Sequence, residues 1–267
     1  MMADLFDKRA VLFLPAANPR AITKARASRA DLVILDLEDA VRDEDKDAAR
    51  AAALEAVANR WPMPVAIRVN ALGTQWFADD AAMVKRSAAD FAVAPMVSCP
   101  AELNSVREAS AKPVLAMIES AAGVLRAPAI ACPAAGLIVG TNDLAADLRL
   151  PADAGRDSLR FALQSIVLAA RAAGIAVFDG VFNRLDDPQG LAQECAEARR
   201  LGFDGKTLIH PDQIEPCLDE FAPTSAEIAR AERLVAAASG GAERFEGAMV
   251  EAMHVAAARR LLERARR

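Results

Sequence analysis

Charged side chains that could do chemistry stand at the ends of short apolar runs in this chain. Glu38 and Asp39 follow one such run, Arg68 closes the next, and Glu119 and Asp143 follow two later ones. Carboxylates without cysteine and with little histidine favour Mg²⁺ or Mn²⁺, completed by water and substrate oxygens. Arg68 offers the planar guanidinium that suits a substrate carboxylate. The pattern therefore indicates a metal site that handles an acidic substrate.

Each of these residues also has an ordinary structural explanation. Glu119 could cap the helix that follows it, and Asp143 could be a turn residue. Arg68 could form an internal ion pair with Glu38 or Asp39, which need not exclude a role in substrate binding. From the residues alone, these alternatives stay open.

Two further polar residues, Asp179 and His210, also end apolar runs. Each is followed by a residue that is common in turns, glycine after Asp179 and proline after His210, so a plain turn is an equal alternative. If all the run ends converge, four or more carboxylates face one cleft. They would repel one another unless a cation lay among them.

The elements that must position these side chains are predicted from apolar runs that alternate with helical segments. The strand-like runs lie at residues 11–14, 32–35, 65–70, 91–95, 114–118, 137–139, 176–178 and 206–209. Nearly all are separated by helical segments, and Asn18-Pro19 predicts the start of the first helix. This alternation predicts a parallel sheet. Eight units favour a closed (β/α)₈ TIM barrel of the α/β class over an open doubly wound sheet.

The barrel topology also predicts where the polar residues meet. The carboxyl ends of all eight strands of such a barrel open onto one mouth, where barrel enzymes carry their active sites. The rival, a dinucleotide-binding open sheet, would show a GxGxxG motif after an early strand, and none occurs. We expect the barrel to span residues 1–223. Residues 224–267 are expected to form a C-terminal helical extension or lid, with two helices joined near residues 239–241, that could pack on a neighbouring subunit.

Composition narrows the functional classes. The 267 residues are 54% hydrophobic and 26% charged, a composition that predicts a large core and argues against disorder. The net charge of −5 argues against nucleic-acid binding. The four cysteines form no CxxC pair and only two histidines occur, so we expect no zinc site and reduced thiols in a cytoplasmic protein. The first residues are charged, so we expect no secretory signal there. The sequence contains no run of 18 apolar residues, so we also expect no membrane span.

Several blocks of sequence carry a family resemblance. They are residues 12–16 (LFLPA) with Asn18-Pro19-Arg20, residues 31–41 (DLVILDLEDAV), 68–70 (RVN), 118–120 (IES), 140–148 (GTNDLAADL) and 201–211 (LGFDGKTLIHP). Together the chain resembles the HpcH/HpaI aldolase and citrate lyase superfamily, within its citrate lyase β-subunit-like branch. The resemblance implies a (β/α)₈ barrel and Mg²⁺-dependent carbon–carbon lyase chemistry on citryl-, malyl- or citramalyl-type CoA thioesters.

The resemblance also implies roles for individual residues. Glu119 and Asp143 would be the direct Mg²⁺ ligands. Glu38 and Asp39 would lie just behind them, where they hold metal-bound waters or pair with Arg68. Arg68 would bind the carboxylate of the oxo acid. The resemblance also implies three cations that would face the nucleotide or pantetheine of a CoA-type substrate: Arg9, Arg20 and Lys24.

The chain departs from the family pattern in places. Met96 stands where the family has lysine, and residues 246–251 (EGAMVE) replace a lid segment that usually carries lysine and ends in aspartate. Alternative functions are therefore a free hydroxy-oxo-acid aldolase, a malyl-CoA-type thioesterase, a non-catalytic binding protein or one subunit of a larger citrate lyase complex. The family further implies a homo-oligomer, a trimer or hexamer, with an acyl-CoA or oxo-acid substrate. The composition and the lack of a long apolar run lead us to expect neither nucleic-acid nor membrane partners.

Overall fold

The computed structural model describes residues 4–266, and these divide into two compact units. The first unit runs up to Glu220 and the second begins at Phe221. Residues 1–3 and 267, which fall at the ends of the two predicted domains, lie outside the described part.

The first unit alternates strands with helices. Its strands are β1 Ala10–Pro15, β2 Leu32–Asp36, β3 Val65–Arg68, β4 Phe91–Ala94, β5 Val114–Ile118, β6 Gly136–Val139, β7 Ala176–Asp179 and β8 Gly205–Leu208. The helices are α1 Pro19–Arg26, α2 Lys46–Ala58, α3 Phe77–Arg86, α4 Pro100–Ser110, α5 Ala121–Ala131, α6 Thr141–Asp147, α7 Arg160–Ala173, α8 Pro188–Leu201 and α9 Ile214–Phe221. Short 3₁₀ turns precede α2, α7 and α9.

The eight strands of this unit close into a barrel. Each strand pairs in parallel with the next in chain order, and β8 pairs back onto β1. The predicted (β/α)₈ barrel is therefore confirmed. The predicted start of the first helix is confirmed as well. The Asn18 side chain accepts the Ala21 N–H at 3.1 Å and caps α1. Helix α2 begins at Lys46, directly after the 3₁₀ turn of residues 43–45.

The strand period decides which side chains enter the barrel. The buried core inside it includes Ile34, Ala66 and Met117. Because successive side chains of a strand point to opposite faces, residues two positions further on point the same way. Asp36, Arg68 and Glu119 therefore continue the inward-facing rows and emerge at the mouth. The same alternation turns a residue one position past a core residue outward, toward the helices.

The second unit is a helical pair with a small hairpin. It contains α10 Ser225–Ala237, β9 Glu243–Phe245, β10 Ala248–Val250 and α11 Ala252–Ala265. The two helices agree with the sequence, but the join is more than a loop. Residues 246–251 supply the turn of the hairpin and β10, with positive φ angles at Glu246 (48°) and Gly247 (86°). Positive φ at both central residues is what a tight hairpin turn requires.

No helix within residues 4–266 is both long and apolar enough to span a bilayer. All four cysteines are free thiols.

Candidate active site

A cavity of about 360 Å³ lies at the carboxyl ends of the barrel strands. Its polar walls come from six strand ends and the loops that follow them, and they include Asp36, Asp39, Arg68, Glu119, Asn142, Asp143, Asn183 and Thr207. Its apolar walls include Phe13, Met117, Val139, Val181 and Ile209. Five of the predicted polar positions thus fall in or beside one concave site, and four of them line it directly.

Arg68 is the cation of this cavity wall, and it is bound by Asp36, which is not among the predicted site residues. Its Nε donates to Asp36 Oδ1 at 2.7 Å, and its Nη2 donates to Asp36 Oδ2 at 2.6 Å. Both side chains are nearly inaccessible to solvent. Asp36 could have been found from the strand period, because it shares the inward face of β2 with Leu32 and Ile34.

The remaining guanidinium nitrogen of Arg68 faces two more carboxylates. Nη1 lies 2.9 Å from Glu38 Oε2 and 3.2 Å from Asp39 Oδ2. The internal ion pairs considered from the sequence are therefore present, together with the fork to Asp36. Burial raises the pKa of Glu38 to about 8, against the lowering effect of Arg68 and with smaller contributions from neighbouring carboxylates. Burial alone would lower the pKa of Arg68, but its three carboxylate neighbours hold it above the ordinary value.

Glu119 directly follows β5 and is a buried carboxylate with one free oxygen. Its Oε1 accepts the Met96 backbone N–H at 2.5 Å. Oε2 is buried and has no hydrogen-bond partner among the described residues. Burial raises the pKa of Glu119 to about 7, opposed by the Met96 amide and assisted by Asp143. The cap of α5 is Ser120, which accepts the Gly123 N–H at 3.1 Å, so the helix does not use the Glu119 carboxylate as its cap.

Asp143 lies in the first turn of α6 and lines the same cavity. Its pKa is raised by partial burial and by the nearby charge of Asp39. An orphaned buried carboxylate oxygen on Glu119, with a second carboxylate beside it, is a donor set that suits Mg²⁺. Within residues 4–266, no group of three or more His, Cys, Asp or Glu side chains is placed to hold a metal alone. One or two carboxylates with several waters are usual for Mg²⁺.

Asp179 does not face the mouth, which corrects the sequence-based grouping. It comes one residue after the core residue Phe178 and therefore points outward, where it is fully buried. Lys206 Nζ lies 2.7 Å from Asp179 Oδ2, and Arg156 Nη2 lies 2.8 Å from Oδ1. Burial alone would raise the pKa of Asp179, but these two cations hold it below the ordinary value.

His210 is occupied by local structure. Its Nδ1 accepts the Asp212 N–H at 3.2 Å and caps the 3₁₀ turn after β8. The cavity wall near it is formed by Thr207 and Ile209. Of the two interpretations of His210, the structure therefore supports a residue that stabilises a turn.

The three cations expected around a CoA-type substrate separate in space. Arg20 and Lys24 lie exposed on α1, which follows the carboxyl end of β1 near the mouth. Arg9 precedes β1 and lies 3.7 Å from Asp31, which stands just before β2. The amino end of β1 is the end of the barrel opposite the cavity, so the structure does not bring Arg9 to the site.

A closed (β/α)₈ barrel with paired carboxylates and an ion-paired arginine at its mouth defines the class of metal-dependent barrel enzymes. The HpcH/HpaI aldolase/citrate lyase family model matches residues 9–211. Accordingly, the chain belongs to the HpcH/HpaI aldolase/citrate lyase family, as the sequence blocks predicted.

Relatives match nearly the whole chain. A (3S)-malyl-CoA thioesterase of Cereibacter sphaeroides is 39% identical over 96% of this chain and 94% of its own length. The citrate lyase subunit beta of Escherichia coli is 34% identical over 97% of this chain and 93% of its own. A solved structure of the CitE protein of Mycobacterium tuberculosis, in complex with magnesium, acetoacetate and coenzyme A, is 34% identical with a TM-score of 0.87. It covers 98% of this chain and 100% of that one.

Proposed function

We propose that this protein is a Mg²⁺-dependent carbon–carbon lyase that acts on a hydroxyacyl-CoA thioester, such as citryl-, malyl- or citramalyl-CoA. The observation that carries the proposal is the unpartnered, buried Glu119 Oε2 in a cavity that also contains Asp143 and Arg68. Such an oxygen is costly unless a ligand completes its coordination. The likeness to a structure in complex with magnesium and coenzyme A supports the choice of ligands.

In this proposal Glu119 and Asp143 hold the Mg²⁺. When bound, the ion supplies Lewis-acid stabilisation of the negative charge that develops on the substrate oxygens. Glu38 and Asp39 position water and Arg68, because both carboxylates contact its Nη1. The cost of burying these acids together is offset by the two cations, Arg68 and Mg²⁺.

Arg68 orients the carboxylate of the oxo acid in this proposal. Asp36 fixes the guanidinium through two hydrogen bonds, so its positive charge is preorganised at the cavity wall. A charge that is already in position costs no rearrangement when the substrate binds. Arg20 and Lys24 are exposed on α1, which begins after the carboxyl end of β1, and in this proposal they bind the phosphate groups of a CoA moiety.

The reaction breaks the bond between the hydroxyl-bearing carbon and the carbon next to the thioester. The hydroxyl loses its proton and becomes the carbonyl of an oxo acid. The electron pair of the broken bond stays on the thioester side, which then takes up a proton to become an acyl-CoA. The apolar residues Phe13, Val139 and Val181 around the site limit the access of water to this reactive fragment.

A malyl-CoA thioesterase is the second candidate, and the 39% identical relative of that name favours it. This reaction would break the bond between carbon and sulfur and consume one water. The two candidates share the metal and the thioester but give different products. Lyase activity on malyl-CoA yields acetyl-CoA and glyoxylate, whereas hydrolysis yields malate and free CoA.

The deciding experiment incubates the purified full chain with malyl-CoA and Mg²⁺. Glyoxylate is trapped with phenylhydrazine, and free CoA thiol is followed with a disulfide reagent in a parallel reaction. Glyoxylate without free thiol supports the lyase, and free thiol without glyoxylate supports the thioesterase. Citryl- and citramalyl-CoA are assayed in parallel, with Glu119→Gln as the control. If none of the three thioesters is turned over and Mg²⁺ does not bind, the proposal fails.

We also propose that the protein is a homo-oligomer, a trimer or hexamer, in which residues 224–267 pack on a neighbouring subunit. Met249 and Met253 of the second unit are more than half exposed, and exposed apolar side chains suit a subunit contact. Deletion of residues 240–267 should disturb assembly and reduce the number of subunits per particle, as measured on a sizing column. An unaltered oligomer would reject this role.

A further inference from the structure

A buried polar cluster beside the cavity has no part in the mechanism described above. It centres on Lys46, the first residue of α2, which is only 5% exposed. The Lys46 ammonium donates to the carbonyl oxygens of Leu37 and Glu38, both at 2.8 Å, and to Asn70 Oδ1 at 2.7 Å. All three donors of the ammonium group are thus used, each on an uncharged oxygen. A buried lysine bound to consecutive backbone carbonyls fixes the course of that backbone.

The partner Asn70 is itself held firmly. It lies two residues beyond the end of β3, and its Nδ2 donates to Leu37 O at 3.0 Å and to Asp80 Oδ2 at 2.6 Å. Asp80 in turn accepts from Arg50 Nε at 2.8 Å. The cluster therefore ties the loop that follows β2 to the end of β3 and to helices α2 and α3.

The loop after β2 is held from two sides by groups of opposite charge. The Asp36 carboxylate accepts the N–H groups of Glu38 at 2.9 Å and Ala40 at 3.1 Å. Lys46 binds the carbonyls of Leu37 and Glu38 in the same stretch. Because its peptide groups are fixed in this way, the loop directs the Glu38 side chain toward Arg68, and Glu38 Oε2 lies 2.9 Å from Arg68 Nη1.

We propose that Lys46 is a positioning residue for the active site, which acts by locking the backbone of residues 37–39. It sets the direction of Glu38 and Asp39, and thereby the water and Arg68 that these carboxylates contact. Lys46 does not line the cavity, so it acts through the loop and not on substrate. This inference rests on the proposed function, because its consequence is read at the proposed Mg²⁺ site.

The test replaces Lys46 with methionine, which keeps the apolar stem and removes the ammonium. Binding of MgCl₂ alone is measured by calorimetry, and amide hydrogen exchange over residues 37–40 is measured without metal. We expect Mg²⁺ to bind about tenfold more weakly, as is usual when a residue supporting a metal site is lost. The amides of Glu38 and Ala40 should exchange faster while the strands of the barrel keep their protection.

Lys112→Met is the matched control. Lys112 Nζ donates to one backbone carbonyl, Ser87 O at 3.0 Å, and Lys112 lies just before β5, at the end of the barrel away from the cavity. This control should leave Mg²⁺ affinity and exchange over residues 37–40 unchanged. A purely structural role for Lys46 predicts that both lysine variants lose only thermal stability, and that outcome overturns the inference.

A second variant, Lys46→Gln, covers the case in which the methionine variant does not fold. Its amide can still donate to a carbonyl, so we expect a smaller loss of affinity and a smaller rise in exchange. Failure of both variants to fold would assign Lys46 to overall stability and overturn the inference. If the unaltered protein does not bind Mg²⁺, the proposed function fails, and the exchange measurement alone still decides the role of Lys46.

Discussion

Arg68 and Asp36 form a buried, two-pronged ion pair, with Nε to Oδ1 at 2.7 Å and Nη2 to Oδ2 at 2.6 Å. The pair joins the ends of two neighbouring strands, β2 and β3, whose register sets Asp36 beside Arg68. It fixes the plane of the guanidinium and leaves Nη1 toward Glu38 and Asp39. The arginine is therefore an element of the cavity wall as well as a candidate substrate ligand.

Arg68→Lys should damage both roles of this residue. Lysine keeps the positive charge but cannot form the parallel pair of hydrogen bonds. We expect a loss of about 2 kcal/mol in the free energy of unfolding, the scale of a hydrogen bond to a charged group. Pyruvate or oxaloacetate should bind more weakly in calorimetry with Mg²⁺. The matched change Arg29→Lys, in an exposed pair with Glu215, should alter neither quantity. Unchanged binding constants for Arg68→Lys would remove it from the substrate site.

Glu119→Gln and Asp143→Asn should each abolish Mg²⁺ binding. Each change keeps the shape of the side chain and removes the charge that attracts the ion. Calorimetric titration with MgCl₂ measures the loss. Glu102→Gln is a suitable control, because Glu102 accepts the Ser98 N–H at 2.7 Å in the cap of α4 and does not line the cavity. Retained Mg²⁺ affinity in the Glu119 or Asp143 variant would refute that ligand.

Mg²⁺ affinity should rise with pH. Since the pKa of Glu119 is raised to about 7 in the metal-free protein, a proton competes with the metal at pH 6 and has largely left at pH 8. The affinity should therefore be about tenfold higher at pH 8 than at pH 6, because metal ligands must be deprotonated. Calorimetry at pH 6, 7 and 8 gives the dependence. A flat profile would show that Glu119 does not exchange a proton for the metal.

The same carboxyl makes the stability of the metal-free protein depend on pH. The pKa of Glu119 is 4.5 in the unfolded chain and about 7 in the folded state, so the folded state holds the extra proton. This proton uptake by Glu119 contributes fully to the free energy of unfolding below about pH 4.5, and the contribution is lost as pH rises through 7. Mg²⁺ should consequently raise Tm more at pH 8 than at pH 6, as thermal unfolding with and without the ion can show.

Gly140→Ala should disrupt the proposed metal site by steric overlap with Glu119. A Cβ at Gly140 would overlap the Glu119 carboxylate, whereas the Gly140 backbone, with φ of −96°, accepts any residue. We expect Glu119 to shift and Mg²⁺ affinity to fall at least about tenfold, the usual cost of disturbing a ligand's surroundings. Gly241→Ala is the control, because a Cβ there meets nothing within 4 Å. Normal affinity in the Gly140 variant would place Glu119 outside the metal site.

Sequence reasoning predicted the barrel because its signals are local and repeated. Short apolar runs, helical segments between them and an Asn-Pro helix start are all properties of neighbouring residues, and they hold in the structure. The joining segment near residues 239–241 was less well predicted. Its hairpin depends on the turn at Glu246-Gly247 and on pairing between β9 and β10, and a short strand pair leaves little periodicity to read.

Where each polar side chain points was the harder question. Asp179 is the last residue of β7 and Glu119 directly follows β5, yet Glu119 comes two positions after the core residue Met117, whereas Asp179 comes one position after Phe178. One position reverses the face, so Glu119 enters the mouth while Asp179 meets Lys206 in the helix layer. The strand period could have separated the two, had the strand register been known.

The fold class, the family and the residue types from which a Mg²⁺ site can be built are all predictable from the amino-acid sequence, because they follow from composition, periodicity and short motifs. Which charged groups contact one another depends instead on the three-dimensional fold. It placed Arg68 against Asp36, left Glu119 Oε2 without a partner, drew Arg9 to the far end of the barrel and set Lys46 under the loop of Glu38. These contacts join different strands, loops and helices, and only the pairing of the strands and the packing of the helices brings such side chains within hydrogen-bonding distance.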